Sequence, residues 1–347
     1  MLKVFTIEQA REWDEIVDSF QQRDAYYYSG YQKAFMLHGD GSPMLFYYED
    51  KNTRAINVAM KRDIAKDKLF RELEENKYFD LASPYGYGGF VIEGENIDAL
   101  NEEYRKYCKE NFIISEFVRC HPVLDNQTKL SNMYDIVELG PTITMDLSDK
   151  EIIWQNIHSK NRNVIRKAQK EGVEIKQGNT QELYDAFIEM YNKTMDKNEA
   201  ANYYYFERKF YDSIREDFAD KSTLFYALYE GEIIAMSIML FANMGMHYHL
   251  SAFDMEYRDK AATNLLLYEA ACWGNDRGYK TFHLGGGVGS KEDSLYSFKK
   301  AFNKNSNTRF AIGKKIFDKD VYEQLVETRK REYSFDKESS FFPLYRA

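Results

Sequence analysis

A chain of 347 residues with 44% apolar and 30% charged residues is long enough for two domains that each bury a core, and neither a disordered nor a membrane class suits it. A formal net charge of -9 excludes general coating of nucleic acid through phosphate attraction, although a local basic patch is compatible with it. Cys108, Cys120 and Cys272 are odd in number and lack zinc spacing, which fits a reducing cytoplasm. From the N-terminus, MLKVFTIEQARE meets Glu8 before a secretory apolar stretch develops, so no signal peptide is expected. The longest apolar run, near Ile233 to Ala242, is too short for a membrane span. The 28 Tyr and 24 Phe suit sugar or peptide clefts, though packing accounts for most of them.

In chain order, one series of elements occurs twice. "AYYYSGYQKAF" from Ala25 and "NYYYFERKF" from Asn202 each precede a strand-like "LFY", at Leu45–Tyr47 and Leu224–Tyr226. An alternating second strand follows in each half, around Ala55–Met60 and Ile233–Leu240, as in a hairpin. Third strands are expected at Tyr78–Leu81 and His247–Leu250. Helices with apolar residues at three-to-four spacing come next, at Ile97–Tyr107 and Leu265–Trp273. Further strands follow them, at Ile113–Val118 and Thr281–Leu284. The shared order predicts a duplicated α/β unit with mixed sheets flanked by helices. The boundary is expected after the "ELGPTITMDL" strand, giving domains 1–147 and 148–347.

The second domain opens on "EIIWQNIHSKNRNVIRKAQKEGVEI", where Trp154, Ile157, Val164, Ile165 and Ala168 share one helical side. Arg162, Arg166 and Lys170 form an i, i+4, i+8 cationic row on the other. Such a row is either a solvated face or a grip on the phosphates of a nucleotide-linked precursor or an RNA end. Farther on, alternation in "MHYHL" predicts Tyr248 and Leu250 on one face and His247 and His249 on the other. His247, His249 and His283 have no HExxH helix or supporting carboxylate, so no metal is expected. His249 and Tyr248 are candidates for orienting an amine or relaying a proton.

The loop "GGGVGSKEDS" is not a P-loop, because Ser290 separates Gly289 from Lys291, nor a dinucleotide fingerprint, because Glu292 stands at the third glycine position. Gly285, Gly286 and Gly287 form either a tight, crowded turn or a place where backbone amides approach a substrate. No Gly-x-Ser-x-Gly elbow or activated cysteine is present. Direct attack by a bound amine needs no protein nucleophile, only orientation and oxyanion stabilisation.

The stretches "SKNRNVIRKAQKEGVEI", "YHLSAFDMEYRDKAATNLLLYEAACWGNDRGYKTFHLGGG" and "SLYSFKKAF", with "DLASPYGYGGFVI" in the first half, together resemble the FemABX-like branch of the GNAT superfamily. The resemblance implies two tandem GNAT-like domains with a cleft between them, the second carrying the transfer site. It implies transfer of an amino acid from aminoacyl-tRNA, or of an acyl group from acyl-CoA, to an amine of a peptidoglycan-type cell-envelope precursor. The acceptor end of tRNA is then a partner, DNA is not, and no cofactor is tightly bound. Lys299 matches the lysine of the family's C-terminal motif, implicated in donor handling or transfer, although adjacent Lys300 leaves the register open by one place. Tyr203, Tyr204, Tyr248 and His249 fall where relatives line the acceptor cleft, and Arg162 and Arg166 match the basic helix. The pyrophosphate loop of classical GNAT enzymes reads Arg258-Asp259-Lys260-Ala261-Ala262-Thr263 here, without its glycines. A Cβ there hinders close amide contact and weighs against tight CoA binding, while Arg258, Lys260 and the helix dipole still attract an anion. Two other readings stay open: a CoA-dependent N-acetyltransferase acting on an amino sugar, and a glycan- or peptide-binding module without catalysis.

Overall fold

The computed structural model describes residues 1–331, 335–336 and 338–347. It is a mixed α/β structure with two sheets. The first contains β1 (Leu2–Thr6), β2 (Ser42–Glu49), β3 (Arg54–Asp63), β4 (Phe79–Ala82), β5 (Val91–Glu93), β6 (Ile113–Arg119) and β7 (Asp135–Pro141). The second contains β8 (Ile143–Asp146), β9 (Glu174–Gly178), β10 (Ser222–Tyr229), β11 (Glu232–Ala242), β12 (Gly245–Phe253) and β13 (Thr281–Gly285). A last strand, β14 (Arg309–Ile316), returns to the first sheet, whose order is β1-β2-β3-β4-β6-β14-β7 with β5 beside β3. The second sheet runs β8-β13-β12-β11-β10-β9.

Turn chemistry sets both hairpins. Between β2 and β3, Asp50 Oδ1 accepts from the amides of Asn52 and Thr53, both at 2.8 Å. Between β10 and β11 the two turn residues, Glu230 (φ 52°) and Gly231 (φ 89°), both have positive φ, which matches the right-handed twist of the strands. The helix Ile97–Glu110 buries Ile97, Leu100, Tyr104 and Cys108, one stripe at helical spacing, against a core that includes Phe46, Leu81 and Ile113. In the second sheet's core, Leu265, Leu266 and Ala270 of the helix Ala262–Asp276 join Ile165 and Ala168 of the helix Ser159–Lys170.

The division of the chain departs from the expected boundary. One compact unit comprises residues 1–139 with 310–347, the other residues 140–309. The expected single strand "ELGPTITMDL" is two strands: β7 ends at Pro141 in the first sheet, and β8 begins at Ile143 in the second. Proline has no N–H to extend a ladder, so the change of sheet falls beside it. Residues 310–347 join the first unit because β14 pairs with β6, Ile312 opposite Arg119 and Ile316 opposite Ser115.

Within that first unit the segment near residue 346 is bound by charge. Asp80 is fully buried on β4, and its carboxylate accepts from Arg62 Nε (2.7 Å), Arg346 Nε (2.6 Å) and the Tyr345 hydroxyl (3.0 Å). Burial opposes its ionisation, yet the two guanidinium groups hold its carboxyl below the usual range. Among the described residues, no helix is long and apolar enough to cross a membrane.

Candidate transfer site

The two units treat equivalent strand pairs differently. In the first unit β4 and β6 run parallel from Phe79↔Ile113 to Ala82↔Phe117. The following segment keeps them joined: Ser83 N donates to Phe117 O (3.0 Å), Arg119 N to Ser83 Oγ (3.2 Å) and Gly88 N to Arg119 O (2.8 Å). Gly88 then bridges Cys120. The "YGYGG" stretch is what allows this closure. Gly86 (φ 102°) leaves no room for a Cβ beside the Tyr26 ring, and a Cβ on Gly88 would come within 2.8 Å of Ser83 Oγ.

In the second unit the corresponding pair opens. β12 and β13 pair only at Gly245↔Thr281, Met246↔Phe282 and His247↔His283, although β12 continues to Phe253 and β13 to Gly285. Parallel strands that part in this way present backbone donors and acceptors to an extended ligand lying between them. A bulge accompanies the parting. Ile238 of β11 faces Leu250 and the next residue, Met239, faces Tyr248, so His249 is left over. This corrects the expected alternation: Tyr248 and Leu250 point to opposite faces, and His247 shares the face of Leu250. Tyr248 packs against the helix-covered core. His249 is buried, and burial together with nearby His247 pulls its imidazole down to about 3. At neutral pH it is therefore uncharged and a poor proton acceptor, suited to orienting a ligand.

Lys299 lies at the end of β13. It belongs to the helix Ser294–Lys300, is 9% exposed, and donates from Nζ to Gly286 O at 2.8 Å. A Cβ on Gly285 (φ 81°) would stand 3.3 Å from that nitrogen, so glycine is what lets the ammonium rest against the strand end. Burial draws Lys299 down to about 8, with Asp293 pulling the other way. The two adjacent lysines point differently: Lys299 Nζ meets the strand end, while Lys300 Nζ turns to Ser306 O at 3.3 Å.

Asp293, which the motif reading missed, organises this loop. It caps the Ser294–Lys300 helix, accepting from Tyr296 N (2.8 Å) and Val288 N (3.0 Å), and these amides hold its carboxyl below the usual range. An aspartate just before the periodic run of a helix is a legible capping signal. Gly287 has no space for a Cβ beside Lys291 O and Asp293, so the crowded-turn reading holds at that position, and the Val288 amide is engaged by Asp293.

The basic helix has a mixed role. Arg162 Nη1 donates to Ile157 O (2.8 Å) and Trp154 O (3.2 Å), closing the end of the helix Lys150–Asn156. Arg166 is exposed, with its guanidinium carbon 4.9 Å from the Trp154 ring centroid. The same helix is tied to the Arg258 loop: Lys167 Nζ donates to Asp259 O (3.0 Å), Lys260 pairs with Glu171 (3.4 Å), and Asn264 donates to Asn161 (2.8 Å). Arg258, Arg166 and Lys170 are all exposed on these joined elements. Tyr203 and Tyr204 are 40% and 37% exposed, their rings edge to face at 5.6 Å.

Ala261 stands at φ 52°, ψ 36°, a left-handed conformation that favours glycine, immediately before the helix Ala262–Asp276. The loop thus keeps a glycine-like turn while carrying a methyl group. Ala261→Gly is expected to raise stability by up to about 1 kcal/mol by relieving that conformation. Chemical denaturation checks this, and a loss of stability would show that the methyl is favourably packed.

The open strand pair, the helix that follows β12 and the lysine at the end of β13 define a GNAT-type acyltransferase domain, and residues 157–300 match the family model described as acetyltransferase (GNAT) domain. Over 175 residues the chain is 29% identical to the UDP-N-acetylmuramoylpentapeptide-lysine N(6)-alanyltransferase of Weissella viridescens, a match covering 49% of this chain and 50% of that protein. The chain thus spans about half the length of the curated relative it matches. Beyond that GNAT domain, the chain resembles in sequence the FemABX-like branch of the GNAT acyltransferase superfamily. In fold it resembles the crystal structure of FemX, with a TM-score of 0.67 at 15% identity over 93% of this chain and 99% of that one. A Bacteroides thetaiotaomicron protein described as of unknown function gives 0.61 at 12% identity over 91% and 100%.

Proposed function

We propose that this chain is a cytoplasmic transferase that moves an aminoacyl group from aminoacyl-tRNA to an amine of a peptidoglycan-type precursor. The observation that carries the reading is the open β12–β13 seam with the buried Lys299 ammonium at its end. The donor's extended arm would lie along the parted strands, and Lys299 would face the negative charge that develops on the carbonyl oxygen as the amine attacks. Because the equivalent seam of the first unit is closed by Ser83 and Gly88, the second unit is the one suited to the donor. Exposed Arg166, Lys170 and Arg258 around the loop before Ala262 favour a polyanionic donor, and the Ala261 methyl hinders close amide contact with a pyrophosphate. The relative's named activity supplies the acceptor class. The left-handed turn kept at Ala261 supports a second reading, an acyl-CoA-dependent N-acetyltransferase acting on an amino sugar.

Purified protein offered charged tRNA or acyl-CoAs, with an amine-bearing muramyl-peptide precursor, separates these readings by mass spectrometry of the product. The expected result is transfer that RNase abolishes. Transfer from acyl-CoA in the absence of RNA overturns the tRNA donor. Acceptor binding without turnover from any donor leaves the binding-module reading.

A further inference from the structure

A chain of polar groups leads from the root of the seam to the edge of the second sheet. Phe282 and Leu284 belong to the helix-covered core, so His283 between them points to the opposite face, where it stands across from His247 with ring centroids 5.8 Å apart. Both imidazoles are buried, in the last rung before the strands part. His283 Nδ1 is 2.8 Å from Thr144 Oγ1 on β8, the edge strand. Thr144 Oγ1 is 3.0 Å from Thr308 Oγ1, which is 3.3 Å from Ser306 Oγ. Thr308 and Ser306 are half-buried and flanked by exposed Asn305, Asn307 and Arg309. The path is continuous at hydrogen-bond distance, and each hydroxyl along it can donate and accept at once.

We propose that His283, Thr144, Thr308 and Ser306 form a proton relay that carries the proton released by the attacking amine from the seam to solvent; this rests on the transferase reading above. As the amine nitrogen bonds to the carbonyl carbon, the bond from that carbon to the donor's leaving oxygen breaks. The amine's proton passes to His283 Nε2 while Nδ1 gives its own proton to Thr144. Thr144, Thr308 and Ser306 each hand on one proton, the last to water. The leaving oxygen takes a proton from the Lys299 ammonium, which water replaces, so protons balance. In a structural role the same hydroxyls would only tie β8 to the 303–308 segment, as Thr308 Oγ1 also does by donating to Thr142 O at 3.1 Å.

The test uses the full chain with Thr308→Val, which interrupts the path at a half-buried position, and Thr308→Ser, which keeps the hydroxyl. With histidines labelled with nitrogen-15, exchange of the His283 ring proton with water is measured by NMR without any substrate. Exchange is expected to slow in Thr308→Val, to recover in Thr308→Ser, and to stay unchanged at the other histidines. Single-turnover transfer is expected to fall about tenfold in Thr308→Val, less than the roughly 10²- to 10⁴-fold of losing a general base outright because His283 itself remains, and to recover in Thr308→Ser. Unchanged exchange, or unchanged transfer, in Thr308→Val overturns the relay. Slowed exchange in a protein that no donor activates leaves the path intact and defeats the transferase reading instead.

Discussion

Replacing Lys299 by Met is expected to lower the transfer rate about 10²- to 10³-fold, the usual loss on removing one group that stabilises a developing oxyanion, and at the same time to make the protein more stable. Both effects have one origin. Folding draws the ammonium from 10.5 to about 8, which corresponds to about 3 kcal/mol of destabilisation at neutral pH. Methionine fills similar space without a charge to desolvate. The pH dependence fixes the sign. Below about pH 8 the lysine is charged in both folded and unfolded chains, and the full penalty applies. Between about 8 and 10.5 the unfolded chain holds the extra proton, so the wild type gains stability as pH rises and its deficit relative to Lys299→Met closes. Denaturant midpoints from pH 7 to 10 measure this. Equal stability throughout would show that burial does not penalise the ammonium, and turnover unaffected by the substitution removes Lys299 from the transfer step.

A second large effect is expected in the first unit. Arg346→Met should destabilise the protein by about 3–5 kcal/mol, because it leaves the buried Asp80 carboxylate with only Arg62 and Tyr345. The carboxyl is held low in the fold, so the stability it contributes is fully present above about pH 4 and is lost as pH falls through its lower folded value. The variant should therefore begin acid unfolding at higher pH than the wild type. Pairing Arg346→Met with Asp80→Asn should recover part of the loss, since the uncompensated charge is then gone. A loss under 1 kcal/mol in the single variant would mean that water reaches Asp80.

The sequence was most legible where structure is local. The strands expected at 45–47 and 55–60 lie within β2 and β3, those at 113–118 and 281–284 within β6 and β13, and the helix expected from Ile97 begins there. Periodicity and turn residues suffice for such elements. The pairing of β14 with β6 escaped it, because Ile312 and Arg119 meet through the ladder, and nothing near either residue announces the other. Alternation failed at His249 for a related reason, a bulge being a property of two strands and visible only in their register. In the candidate site, Lys299 was singled out through the resemblance, whereas its burial against Gly286 depends on where two elements meet. The basic row on the Ser159 helix was plain to read. That Arg162 closes the preceding helix became evident only from the carbonyls it reaches.

The first unit's sheet is interrupted in the chain between β7 and β14, and in space β14 lies between β6 and β7. A ribosome making this protein therefore releases all of residues 140–309 before it supplies the strand that fills that gap. Until then β6 lacks a neighbour on one side, and a nascent chain would offer it as an adhesive border to other chains or to chaperones. The inserted unit is complete in itself along the message, so translation order favours its maturing first, with the N-terminal portion waiting for the last stretch to emerge.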